Sequence, residues 1–513
     1  MSKGRTMDAD PGDAIGEPGP RLYARLADET HAGGASDATA HQAVPLCVDL
    51  DGTLIRTDTL LEGMIALAGG LRVVALLGAL GGGPARLKAR VAELAPFDPA
   101  LLPYNERVLD YIRAERAKGR RIVLTTAANE AVAARVAEHL GLFDEVIAST
   151  ATHNVKGIAK AAALVERFGP KGFAYAGDAR ADLPVWQQAA SAVLVNVSRG
   201  VKAKASGPVE HTIDDQPPLL PTLARAMRPH QWVKNLLVFV PIFTADAMGD
   251  PRSWVGGILA FLAFCAVASA VYLVNDLLDL AADRAHKHKR RRPFAAGTAP
   301  LPAGVLLCLV LLAAGLTTAY LGSILVVVLA YAATSLAYSL WLKRQPLVDV
   351  FALAGLYTIR LIGGGEATGH SLSLWLLAFA SFLFLSLALV KRVAEVMDSA
   401  ERSPGPVSGR GYGPDDLMIL ELFGVASTFA SSLVLALYVQ YETTSGRFAS
   451  AGVLWCIVPL VLLWNCRMWL STARGYMHHD PILYAARDWV TWAIIIAMIL
   501  VVTLARAGMP LLP

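Results

Sequence analysis

Charge is what this 513-residue chain has least of. Charged residues make up 17% of it, against about 25% in soluble domains. Hydrophobic residues reach 55% and mean hydropathy is +0.46. That balance excludes an ordinary soluble enzyme over the whole length, and a disordered chain. An excess of one sign is also missing: 46 Lys+Arg against 42 Asp+Glu leave +4, too even for a nucleic-acid binder read on charge alone. The five cysteines, Cys47, Cys265, Cys308, Cys456 and Cys466, include no CxxC pair, and most sit in apolar runs, where cysteine behaves as a small hydrophobe. Neither a disulfide framework nor a zinc site follows. No apolar stretch follows Met1, so no secretory signal peptide is expected.

The hydrophobicity is unevenly spread. Residues 1–43 are rich in Gly, Ala, Asp and Pro without apolar period, which predicts a disordered leader. Residues 44–215 alternate short apolar runs (Pro45–Leu50, Arg121–Thr125, Glu145–Ala148, Gly172–Ala176, Ala192–Val197) with helical stretches, the pattern of an α/β domain with a parallel sheet. Gln216-Pro217-Pro218 opens a linker over 216–227. From 228 to 513 the chain carries nine apolar segments: 236–248, 254–275, 303–320, 324–342, 347–364, 372–390, 417–438, 452–465 and 489–507. About 20 apolar residues span a bilayer, so an all-α membrane domain of about nine helices is expected. Arg252 and Arg447 are the only Lys or Arg in one set of connecting loops, and the alternate set carries fifteen. The positive-inside rule puts the basic set, and with it the soluble domain, in the cytoplasm, the protein spanning the cell (inner) membrane. Leu60–Gly83 is also apolar but interrupted by Arg72; it reads as a helical cap of the soluble domain or as a membrane-surface contact.

Two groups of residues carry chemistry. In Val48-Asp49-Leu50-Asp51-Gly52-Thr53, two carboxylates follow an apolar strand, so one can attack phosphorus while the other handles the leaving group's proton. A second strand ends in Thr125-Thr126, Lys156 follows, and Gly177-Asp178 with Asp182 adds two more carboxylates after another strand. Clustered acids with a phosphate substrate point to Mg²⁺; the lysine and hydroxyl suit the transferring phosphoryl group. These four motifs, in this order over about 170 residues, resemble the haloacid-dehalogenase (HAD) superfamily of phosphotransferases. The resemblance implies a Rossmann-like fold with a small cap at about 57–120. Asp49 would be the nucleophile and Asp51 the general acid/base. Thr126 and Lys156 would contact phosphate, with Thr125 and Lys160 as neighbouring candidates. Asp49, the Asp51 carbonyl and Asp178 would hold Mg²⁺, supported by Asp182.

The second group ends an apolar segment: Asn275-Asp276-Leu277-Leu278-Asp279, then Asp283-Arg284. The i, i+3, i+7 spacing predicts that Asp276, Asp279 and Asp283 share one helix face. Carboxylates beside hydrocarbon are costly unless paired or metal-bound; Mg²⁺ bridging a diphosphate would satisfy them. Lys287-His288-Lys289-Arg290-Arg291-Arg292 follows, as a positive-inside anchor or an anion site. Tyr338, Lys343, Asp349, Arg360, Lys391, Arg392 and Glu395 add further charged or polar groups in or beside apolar segments. Arg228, Gln231, Lys234 and Asn235 read equally as site residues or interfacial anchors. This half resembles the UbiA-type membrane prenyltransferase superfamily, with NDxxDxxxD at 275–283. Within it, RPxQWxKN at 228–235, DRxHxxKRxRPxAAG at 283–297, LKxxxxxD with Lys343 and ending at Asp349, and KRxAE at 391–395 are most similar to the decaprenyl-phosphate phosphoribosyltransferase branch. Arg291 and Val396-Met397 depart from that pattern.

The resemblance implies transfer of 5-phosphoribose from phosphoribosyl pyrophosphate (PRPP) to a polyprenyl phosphate. Asp276, Asp279 and Asp283 would hold Mg²⁺, and Asn275, Arg284, Lys289, Arg290, Arg292, Tyr338, Lys343, Asp349, Lys391, Arg392 and Glu395 would bind substrate. A tethered phosphatase meets the phosphorylated product at high effective concentration, so the fused domain is expected to remove its 5-phosphate. The alternative is prenyl transfer from a prenyl diphosphate to an aromatic acceptor such as 4-hydroxybenzoate, the HAD domain acting separately. Intact acidic motifs in both halves oppose a scaffold or transporter.

Overall fold

The computed structural model describes residues 44–69, 74–75, 83–95, 97–402, 411–444, 450–477 and 480–507. The expected leader, 1–43, lies outside them, as do residues 70–73 and 76–82 of the apolar stretch before Gly83. The described residues form one compact unit.

Six parallel strands make a sheet in the order β3-β2-β1-β4-β5-β6: β1 Leu46–Val48, β2 Ile122–Asn129, β3 Glu145–Ser149, β4 Ala174–Gly177, β5 Ser191–Val195 and β6 Val209–Ile213. Leu46, Cys47 and Val48 are wholly buried because helices cover both faces, as in all-parallel sheets generally. The last strand went unread in the sequence. It is an edge strand, exposed from Val209 to His211, and offers no apolar alternation to detect. The helix Glu106–Ala117 sends Val108, Leu109 and Ile112 into the same core as Leu46 and Val48. It therefore belongs to the sheet domain, and the cap is smaller than 57–120. Its helices are Thr59–Gly69 and Gly83–Leu94, joined through Leu67 and Val91.

Among the described residues, seven helices are long and apolar enough to cross a bilayer: Pro251–Leu278, Leu301–Leu321, Val348–Thr368, Leu374–Ala400, Pro414–Glu442, Gly452–Ala473 and Trp489–Ala507. Leu306, Val326, Leu374, Met418 and Ile496 stand 64–81% exposed, as side chains do that face hydrocarbon. Two of the nine expected segments differ. Residues 236–248 are no continuous helix: a 3-10 stretch, Pro229–Phe239, gives way to the five-residue helix Val240–Thr244, where Pro241 cannot donate to a preceding turn. Leu325–Leu340 is a helix of 16 residues, about 24 Å at 1.5 Å per residue, short of the ~30 Å hydrocarbon core. The expected linker also folds, as the helix Leu219–Ala226, with Ala226 in a core shared with Ala270, Leu273 and Leu277. The cap residues Leu61 and Ile65 pack against that same core. The cap thus rests on the membrane domain.

Candidate active sites

β1 and β4 are the two central neighbours, paired at Val48 and Ala176, and the chain order runs outward from them on either side. Ligands of open α/β sheets bind at the carboxyl ends of strands flanking such a switch point. Asp49 follows β1 there, and Asp178 follows β4. Gly52 closes the turn after β1 at φ +81°, where a Cβ would lie 2.3 Å from Asp178 Oδ2; only glycine lets the two loops meet.

Carboxylate oxygens of Asp49, Asp178 and Asp182 all lie within 4.8 Å of one another. Thr53 Oγ1 donates to Asp178 Oδ1 at 3.2 Å. Asp182 Oδ2 accepts from the Asp178 and Ala179 backbone N–H groups, and its Oδ1 from Tyr175 Oη at 2.9 Å. Burial pushes Asp49 up to about 6, against the opposing pull of Lys160. Burial, then the nearby Asp58, raises Asp51 to about 7; burial, then Asp49 and Asp182, raises Asp178 to about 8. Too little positive charge sits among these acids. Hard oxygen ligands so arranged fit a divalent cation such as Mg²⁺.

The lysine that meets the acids is Lys160, not Lys156. Its Nζ lies 2.9 Å from Asp49 Oδ1 and 3.7 Å from Asp182 and donates to Tyr175 Oη at 2.8 Å. Lys156 is exposed at the cavity rim. The helix Ile158–Phe168 buries Lys160, Ala161 and Leu164, so the i, i+4 pairing of Lys160 with Leu164 was the available signal. Thr126 is buried, its Oγ1 accepting the Ala128 N–H at 2.9 Å; Thr125 is buried too. The cavity wall begins only after both, at Ala127, Ala128 and Asn129. Lys88, unforeseen, reaches over from the cap to Ala127 O at 2.6 Å and Asn154 Oδ1 at 2.9 Å.

At the membrane edge two of the three expected acids, Asp276 and Asp283, converge, and Asp279 turns away. The long helix ends at Leu278, Asp279 sits in the break at φ −94°, ψ 15°, and a short helix, Leu280–Ala285, follows. Arg292 Nη1 bridges Asp276 Oδ1 at 3.1 Å and Asp283 Oδ2 at 2.7 Å. Arg228 also pairs with Asp276, and Lys343 with Asp279 at 3.1 Å. Asp276 Oδ2 accepts no hydrogen bond from the described residues. Among the described residues a three-acid cluster with ligand geometry forms at Asp49, Asp178 and Asp182 and not here. As arranged, Asp276 and Asp283 converge on the Arg292 guanidinium while Asp279 turns to the Lys343 ammonium, so the three acids do not meet at one point.

Other expected contacts fall elsewhere. Arg284 turns to the soluble domain, donating to Glu62 at 2.5 and 2.9 Å and to Ala295 O at 3.0 Å. Asp349 and Arg392 are wholly buried and paired at 2.5 Å; Tyr412 donates to Asp349 at 2.6 Å, and Glu395 and Tyr338 complete the Arg392 network. That cluster ties the helix Val348–Thr368 to the helix Leu374–Arg402. Lys289 and Arg290 are exposed on a short 3-10 turn, and Asn275 is half-buried beside Asp276. Lys391 lies 3.7 Å from Asp480, which Lys234 meets at 2.5 Å. Asp480 was unforeseen; it also caps the helix Pro481–Arg487, which reads as a purely structural role. Arg360 is buried, bonded to Asn235 at 2.7 Å and Tyr331 at 2.9 Å.

Both halves agree with known families. Residues 46–187 match the haloacid dehalogenase-like hydrolases and 236–475 the UbiA prenyltransferase family. The chain belongs to the UbiA prenyltransferase family and carries a HAD-like domain in front. It is 38% identical over 460 residues to protein y4nM of Sinorhizobium fredii, covering 88% of this chain and 89% of that one. It is 36% identical to the nodulation protein NoeC of Azorhizobium caulinodans, over 52% of this chain and 87% of that one. A decaprenyl-phosphate phosphoribosyltransferase of Mycobacterium tuberculosis is 39% identical over 196 residues, 37% of this chain and 65% of the relative. The match to that enzyme therefore spans just under two thirds of its length.

Proposed function

We propose that the membrane domain transfers 5-phosphoribose from PRPP to a polyprenyl phosphate, and that the HAD-like domain removes the 5-phosphate from the product. One observation carries the transferase half: each acid of the Asp276, Asp279 and Asp283 set holds a basic partner, Arg228, Arg292 or Lys343. PRPP presents three phosphate groups, and such a rim of positioned cations suits it better than it suits a prenyl diphosphate. Arg292 and Arg228 would swing from carboxylate to phosphate, a comparable charge-assisted hydrogen bond. The bond from the anomeric carbon to pyrophosphate breaks, with oxocarbenium character as in glycoside cleavage. An oxygen of the lipid phosphate takes its place on that carbon. The loop-charge asymmetry supports both sites facing the cytoplasm.

In the HAD-like domain, Asp49 attacks the 5-phosphate phosphorus, the ester P–O bond breaks, and Asp51 gives the leaving ribose oxygen its proton. Water then attacks the aspartyl-phosphate, passing a proton to Asp51 and releasing inorganic phosphate. Lys160 holds Asp49 in place through both steps. When bound among Asp49, Asp178 and the Asp51 carbonyl, Mg²⁺ offsets charge on the phosphoryl oxygens.

A competition assay on membranes tests donor choice. PRPP should be consumed in the presence of polyprenyl phosphate, and a prenyl diphosphate with 4-hydroxybenzoate should give no product. Prenylation of the aromatic acid without turnover of PRPP would refute the proposal.

A further inference from the structure

We infer that the HAD-like active site acts on a phosphomonoester carried by a lipid chain, and that the membrane domain builds part of the pocket receiving it. This rests on the phosphatase reading above. Asp49, Asp51, Asp178 and Lys160 lie in a cavity of about 680 Å³. Its other wall comes from the membrane domain: Leu277, Leu278, Leu280, Ala281, Leu301 and Pro302. A free sugar phosphate has no use for an apolar wall, whereas the first isoprene units of a polyprenyl chain gain by leaving water against it.

Two contacts keep this wall in register with the catalytic acids. Arg284 grips Glu62 of the cap with two hydrogen bonds, the bidentate geometry that fixes orientation as well as distance. Gly297, at φ +66°, lets its loop come so near the soluble domain that a Cβ would lie 2.5 Å from Arg56 Cβ.

The experiment uses the full chain in liposomes. Phosphate release is compared for two probes: the 5-phosphorylated lipid formed from labelled PRPP and polyprenyl phosphate, and water-soluble ribose 5-phosphate. The wild type should favour the lipid probe by at least tenfold in kcat/KM. Ala281, exposed on its short helix, is replaced in Ala281→Trp to fill the apolar wall. The lipid-to-soluble ratio should then fall about tenfold or more. A wild type indifferent to the lipid, or an Ala281→Trp ratio equal to wild type, overturns the inference while leaving the phosphatase reading intact. If Ala281→Trp does not fold, the wild-type ratio decides alone. Hydrolysis of neither probe by the wild type overturns the phosphatase reading, and the inference with it.

Discussion

Arg284 of the membrane domain and Glu62 of the HAD-like cap form a two-point ion pair, their side chains only 7% and 14% exposed. Such a pair costs more when broken than it contributes when made, because one charge is left behind without water or partner. Arg284→Ala should therefore destabilise the chain by about 3–5 kcal/mol. The double variant Arg284→Met with Glu62→Leu should recover most of that loss. Thermal unfolding in detergent measures both. A single variant that melts with the wild type would show that the contact does not hold the domains together.

Lys160 and Lys156 separate cleanly. Lys160→Met leaves the buried Asp49 without the cation 2.9 Å away, so phosphate release should fall at least 100-fold, the low end of what a positioned catalytic group contributes. Lys156→Met removes an exposed rim charge and should cost less than tenfold. Equal losses would mean that the ion pair with Asp49 does not support catalysis.

Arg292 and Arg392 should also differ in kind. Arg292 is 24% exposed between two acids, open to a phosphate. Its loss should cost about 1.5–3 kcal/mol, the worth of a hydrogen bond to a charged group, and so raise the PRPP requirement roughly tenfold or more. Arg392→Ala instead strands the buried Asp349, lowering the melting temperature. Steady-state kinetics beside a melting curve distinguishes them. A raised PRPP requirement at unchanged stability in Arg392→Ala would place Arg392 in the site after all.

What was legible in the sequence follows from how local each signal is. Asp49 and Asp178 are set by short motifs at strand ends, and the sheet brings the strands together. Lys160 depends on which face of one helix turns inward, a question four residues wide that the motif left open. The break at Asp279 was invisible: no Gly or Pro lies between Asp276 and Arg284. The break residue's carboxylate is held by Lys343, 64 residues away, where tertiary partners override propensity. The Arg284–Glu62 contact spans 222 residues and two domains, so no periodicity within either half points to it.

The central claim, that one chain makes the lipid-linked phosphoribose and then strips its phosphate, is tested most directly by the mass of the lipid product in Asp49→Asn. Membranes carrying the wild type, given labelled PRPP and polyprenyl phosphate, should yield polyprenyl-phospho-ribose and free phosphate. Asp49→Asn should yield the same amount of labelled lipid, one phosphate heavier, because the nucleophile lies in the HAD-like domain and the rim aspartates in the other. Dephosphorylated lipid from Asp49→Asn at the wild-type rate would contradict the account, as would a wild type whose lipid keeps its 5-phosphate.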